Sequence, residues 1–144
     1  MTGISAEHLR AWRAVLSVQS AVVARVETAL AEAGLPPLAW YDVLWALRSA
    51  PRGRLRMGAL AGHVTISRGG LTKLVDRLEG DGLLVREACP TDRRGFDAVL
   101  TAKGRAVLRQ IWPVYERVLV ESLAPLTESE AAATAATLER LLET

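Results

Sequence analysis

Residues 71–78 impose the tightest constraint in the sequence. Leu71, Leu74, Val75 and Leu78 recur at i, i+3, i+4 and i+7, which puts them on one face of a helix and commits that face to burial. The remaining face carries Arg68, Thr72, Lys73, Asp76 and Arg77, so it is left to solvent or to a partner. Gly80 and Gly82 follow, and either can take the left-handed conformation that ends a helix. Upstream, Leu60 to Val64 reads as a short apolar helix that turns at Thr65-Ile66. Downstream, Leu83 to Ala88 and Phe96 to Thr101 read as two short strands, with Cys89 to Gly95 as the tip between them.

Helix, turn, helix and then a hairpin with a basic tip is the order of a winged helix-turn-helix, whose second helix fits the major groove of DNA. The residue types suit that placement. Ser67 stands where an N-cap belongs, and a helix N-terminus offers free N–H groups and partial positive charge to a phosphate. Arg68, Thr72 and Lys73 are types that reach base edges or phosphates, with Arg77 further along the same polar face. Arg93 and Arg94, between a proline and a glycine at the hairpin tip, suit the narrow, electronegative minor groove of A·T-rich sequence. Asp92 is expected to brace these arginines by charge pairing. Arg52, Arg54 and Arg56 read equally well as phosphate contacts or as plain exposed cations.

At these residues the chain resembles the MarR family of transcriptional regulators. The family's recognition-helix pattern, roughly S-x-S-T-V-T-R-L-V-D-R-L-E, lies over Ser67 to Glu79. Its wing signature, D-x-R followed by an apolar strand and L-T-x-x-G, lies over Asp92-Arg93-Arg94 and then Leu100-Thr101-Ala102-Lys103-Gly104. The resemblance implies a mainly α protein with about six helices and a small β-hairpin wing, a dimer of the obligate type, and sequence-specific binding of double-stranded DNA at a pseudo-palindromic operator. Gly69 and Gly70 depart from the pattern, which has small hydroxyl residues there. Each glycine costs a helix interior about 0.5–1 kcal/mol relative to alanine. Close backbone approach to DNA and simple drift in a GC-biased sequence both account for them.

At 144 residues the chain is most simply one domain, with about 38–101 as the DNA head and about 4–34 and 102–143 as dimerisation helices. The net charge of +2 says little, but its distribution says more. Residues 52–105 hold 11 Lys and Arg against 6 Asp and Glu, while the remainder holds 7 against 10. That asymmetry is the footprint of a domain that grips a polyanion at one end. Apolar residues come in periodic groups rather than in a run of about 18 or more, so neither a membrane span nor a signal peptide is expected and a cytoplasmic location follows. With one cysteine and two histidines, and no HExxH, GxSxG, phosphate loop or dinucleotide fingerprint, neither an enzyme nor a metal site is indicated. No cofactor is expected.

The chain's two ends read as helices with more apolar surface than one chain covers. Ser5 is placed to cap a first helix bearing Leu9, Trp12, Leu16, Val23, Val26 and Leu30, stopped by Gly34. A second helix spans Leu38 to Ala50. Thr101 is placed to cap another, running through Pro113 to about Leu123, with a kink expected at the proline. Thr127 to Glu130 forms a capping box before a last Ala-rich helix ending in Leu138, Leu141 and Leu142. Two-fold packing of the first, fifth and sixth helices would set two recognition helices about one duplex turn apart.

Three further readings stay open. In the family, the crevice between dimerisation region and head binds aromatic or phenolic acids, which makes Trp12, Trp40, Trp45 and Trp112 candidate pocket residues. Arg13, with Arg10 and Arg48, is then a candidate partner for a ligand carboxylate; repression released by such a ligand is the expected mode. A redox-responsive regulator would use Cys89, its thiol pKa lowered by Arg86, Arg93 and Arg94. A winged-helix module that binds protein without reading DNA is the alternative from another class.

Overall fold

The computed structural model describes residues 3–64 and 68–143, other than the side chains of Arg68 and Arg93; Ser67, the expected cap of the recognition helix, lies outside the described residues. Among the described residues six α-helices and three strands follow one another as α1 (Ala6–Glu32), α2 (Leu38–Ser49), β1 (Arg54–Arg56), α3 (Met57–Leu60), α4 (Arg68–Gly80), β2 (Leu84–Cys89), β3 (Asp92–Leu100), α5 (Ala102–Leu123) and α6 (Glu128–Glu139). The mainly α architecture with six helices and a small wing is the one the residues imply.

Helix ends form where local chemistry satisfies the free backbone groups. Ser5 accepts from the His8 N–H at 3.2 Å. Thr127 and Glu130 complete their capping box at 2.8 and 3.2 Å. Pro37 brings no capping side chain to α2. Glu27 of α1 does that work from a distance, accepting from the Leu38 N–H at 2.7 Å and placing a carboxylate at the positive end of α2. Thr101 accepts from the Gly104 N–H at 3.0 Å and donates to the Gly82 carbonyl at 2.6 Å, so α5 is fastened to the turn that follows α4. Gly82 takes a φ of +76°, where a side chain would be strained. A Cβ on Gly104 would run into the Leu83 carbonyl oxygen, so the glycine of the L-T-x-x-G signature is what lets α5 approach the wing root.

The sheet corrects the expected boundaries in three places. β1 was not foreseen as a strand; it pairs antiparallel with β3, giving a sheet in the order β1-β3-β2. Arg54 and Arg56 are therefore strand residues facing acids across the ladder rather than free loop cations. The short helix expected over Leu60 to Val64 lies earlier, as Met57–Leu60 followed by a 3-10 turn at Ala61–His63, because Leu60 closes the helix as its fully buried residue. The wing tip is narrower than Cys89 to Gly95. Cys89 already pairs with Asp92, and the register breaks after Ala88↔Phe96, leaving Arg93, Arg94 and Gly95 as the excess on β3.

The core lies where the winged region meets the ends of the flanking helices. Leu71, Val75 and Leu78 of α4 are buried in one cluster with Leu44 and Leu47 of α2, Leu60, Leu84, Ala98 and Leu108, and Leu74, the fourth member of the stripe, packs against that cluster partly buried. α1 contributes only Val26 and Leu30 as buried residues, and α6 none. α5 runs unbroken through Pro113. Among the described residues α1 is the one helix long and apolar enough, by length and composition, to cross a bilayer, a test that core helices of soluble proteins also pass. Here it packs along α5, where Arg25 donates to Ser122 at 3.2 Å.

Candidate nucleic-acid interface

α4 presents Thr72, Lys73, Asp76 and Arg77 on its exposed side because the apolar stripe fixes the helix's rotation. Two of the helix's acids would repel a phosphate backbone, and both are held by one residue of the wing. The Arg86 guanidinium on β2 pairs with Asp76 at 2.5 Å and with Glu79 at 2.8 Å, while the Arg86 N–H donates to Glu79 at 2.8 Å. These bonds raise the Arg86 pKa against the opposing effect of burial, the largest single influence. They also fix the wing's first strand to the last turns of α4. Lys73 and Arg77 stay exposed with no partner among the described residues, so the outward charge of the helix is positive. A Cβ on Gly69 would meet nothing within 4 Å, so packing within the chain does not require that glycine.

The wing is braced from β1. Asp92 pairs with Arg56 and accepts from the Arg94 N–H at 3.0 Å, and these two bonds, the backbone one first, hold its carboxyl below the usual range. The described partner of Asp92 is thus Arg56, with Arg94 touching it through its backbone. The guanidinium of Arg56 lies across the bulge, within 2.6 Å of where a Gly95 Cβ would sit. Arg54 pairs with Asp97 at 2.9 Å and Glu87 at 3.3 Å, tying β1 to both other strands. The Arg94 side chain is exposed and without a partner among the described residues. The role of β1 was missed because three residues are too few to show a period, and the acids that hold its arginines lie about 40 positions away.

Cys89 sits at the tip with its thiol 3.4 Å from the Thr91 hydroxyl. Hydrogen bonds from the Thr91 side chain and then its backbone lower the thiol pKa, against burial and the charge of Asp97. Of the cations expected to do this, Arg86 is committed to Asp76 and Glu79.

Between α2 and α5 lies a crevice of about 870 Å³. Trp45 and Trp112 line it together with Tyr41, Asp42, Arg48, Leu108, Arg109, Tyr115 and Leu119. Tyr41 is the centre of the ring cluster, near-parallel to Trp45 (6.1 Å, 6°) and Trp112 (6.2 Å, 20°) and edge-on to Tyr115 (5.2 Å, 85°). Burial raises the pKa of both tyrosines, and the negative charge of Asp42 adds to it. Arg48 stacks over Trp45 at 5.4 Å. Trp12, Trp40 and Arg13, expected in the same pocket, are not among the residues that line this crevice. Trp12 and Arg13 lie on the exposed N-terminal half of α1, beyond the part that Val26 and Leu30 anchor. Trp40, five positions from Trp45, is turned about 140° around α2 and packs on the core instead. The tyrosines went unseen because rings at helical spacing read as core filler. The signal available was a pair of aromatic couples, Tyr41/Trp45 at i, i+4 and Trp112/Tyr115 at i, i+3, on two helices.

Comparison with known proteins gives one consistent answer. A family model described as MarR family matches residues 33–95. The HTH-type transcriptional regulator MhqR of Bacillus subtilis is 34% identical over 79 residues, 55% of this chain and 54% of that protein. The chain thus spans about half the length of this curated relative. Sco3205, a MarR family transcriptional regulator from Streptomyces coelicolor solved in complex with DNA, superposes with a TM-score of 0.87 at 30% identity, covering 99% of this chain and 90% of that one. Bordetella bronchiseptica BpsR, described with a mechanism for regulation of its DNA binding by 6-hydroxynicotinic acid, shares the fold at 22% identity, with a TM-score of 0.80 and coverage of 92% and 98%.

Proposed function

The chain belongs to the MarR family of DNA-binding transcriptional regulators, and from that premise we propose that it acts as a cytoplasmic homodimer that represses transcription from a pseudo-palindromic operator until a small aromatic ligand releases it. In this reading residues 38–101 form the DNA head and residues 4–34 and 102–143 pair with a second copy. Ser67, Arg68, Gly69, Gly70, Thr72, Lys73 and Arg77 enter or border the major groove. Arg93 and Arg94 reach the minor groove, with Asp92 and Arg56 fixing the bulge that carries them.

The observation that carries the reading is the electrostatic sorting of the head. Arg86 engages both acids of α4, and the exposed side chains of Lys73, Arg77 and Arg94 have no partner among the described residues. A surface built for a protein partner has no need to silence its acids while leaving its cations open; a phosphate backbone rewards both. The second copy is supported by the apolar residues that one chain leaves bare, Trp12, Leu16 and Val18 on α1 and Leu138, Leu141 and Leu142 at the C-terminus. Ligand control is supported by the crevice, whose rings sit between α2 of the head and α5 of the flank. A molecule that prefers one arrangement of head and flank shifts the dimer by its differential affinity for the two.

Selecting bound duplexes from a random pool tests this directly. The expected product is an inverted repeat with half-sites roughly one duplex turn, about 10 base pairs, apart. Repeating the selection with phenolic acids should lower the recovered fraction. A pool that shows no enrichment overturns the reading.

A further inference from the structure

Among the residues lining the crevice, Asp42 is the only acid, set among rings, aliphatic side chains and two arginines. It is half-buried, and no hydrogen bond or ion pair engages it among the described residues. Burial and then the nearby charge of Glu27 both disfavour its ionised form. It also borders a second cavity of about 420 Å³, lined in part by Ser49 and His63, so that Asp42 and Trp45 line both spaces. A carboxylate with no bonding partner among the described residues, yet partly removed from water, destabilises the chain it sits in. A neutral side chain would serve α2 better, so the reason for an acid lies in what enters the crevice.

A carboxylate accepts hydrogen bonds and cannot donate them, so its complement is a hydroxyl or an amine. A purely cationic ligand fits poorly, because Arg109 also lines the crevice and Arg48 already covers the face of Trp45. The rings favour a flat aromatic body, and the arginines an acidic group on it. We propose that Asp42 is the specificity-determining residue of the crevice, admitting aromatic acids that also carry a hydroxyl or amino donor and rejecting those that do not. This rests on the crevice being the effector site. A plain aromatic acid would complete the desolvation of Asp42 without giving it a partner, and a site built to hydrogen-bond a ligand group discriminates strongly against the analogue that lacks it.

The test is calorimetric titration of the full chain near neutral pH with benzoate, 3-hydroxybenzoate and 4-hydroxybenzoate. At least one hydroxybenzoate should bind the parent protein at least ~10-fold more tightly than benzoate. In Asp42→Leu that ratio should fall to within about 2-fold, through weaker hydroxybenzoate binding and tighter benzoate binding. Asp42→Asn, of the same shape, should give an intermediate ratio and keeps the test valid if leucine perturbs α2. Equal binding of all three by the parent protein, or a ratio unchanged in both variants, overturns the role of Asp42 while leaving the crevice as a ligand site. Binding of none of the three at millimolar concentration overturns the ligand site itself, and the selectivity falls with it.

Discussion

Leu71, Val75 and Leu78 on α4 are between 0 and 3% exposed, whereas Leu141 and Leu142 at the C-terminus are 66 and 85% exposed. Both stretches show leucines at helical spacing, and the sequence pattern treats them alike. The stripe on α4 finds its cover within the chain, because it joins one core with α2, the sheet and buried residues of α1 and α5. The two ends do not, since α1 buries only its last turns and α6 buries nothing. Periodicity states that a face must be covered; it does not state by what. The head shares one closed core with the last turns of α1 and with α5, whereas the outer faces of the ends stay open, and we assign their cover to a second copy.

That contrast can be broken from either side. The largest effect is expected from the head's core: Leu78→Ala should lower stability by about 2–5 kcal/mol in urea unfolding, since the site is fully enclosed. A loss under 1 kcal/mol would mean the core is less closed than its packing indicates. Next come the ends. Leu138→Asp with Leu141→Asp should give monomers in sedimentation and lower operator affinity on the order of 100-fold, because two half-sites are no longer engaged together. Dimers that persist would place the interface elsewhere. Arg94→Ala, which removes a wing cation and touches neither core, should weaken operator binding at least ~10-fold at moderate salt without changing the unfolding midpoint. Unchanged affinity in a gel shift would remove the wing from the contact. Smallest is Lys73→Ala, which should flatten the plot of log K against log salt by about 0.9 per protomer if Lys73 meets a phosphate. An identical slope would turn it into a base reader or a bystander.

The legible parts of the molecule were those written in short-range code. The α4 stripe, the caps at Ser5, Thr101 and Thr127, and a glycine stop at Gly80 or Gly82, of which Gly82 takes the positive φ, each depend on residues within about four positions of one another. The hairpin was legible as a hairpin but not in its register, because a bulge at Ala88/Cys89 leaves no mark in composition. What was hidden depends on distant pairs. β1 exists because Arg54 and Arg56 meet acids on β3, and the crevice exists because Tyr41 and Tyr115 meet across two helices. Trp12 and Trp40 show the converse: residue type suggests a pocket, whereas position around and along the helix leaves both off the lining of the crevice between α2 and α5. The polar face of α4 was found from sequence, while the neutralising part of Arg86 needed the fold that brings β2 alongside the helix.

One measurement bears on the whole account most directly: the stoichiometry and salt response of the complex with a selected operator duplex, by sedimentation. Two chains per duplex are expected, with affinity falling steeply as salt rises. One chain per duplex, or no complex even in dilute buffer, would contradict it.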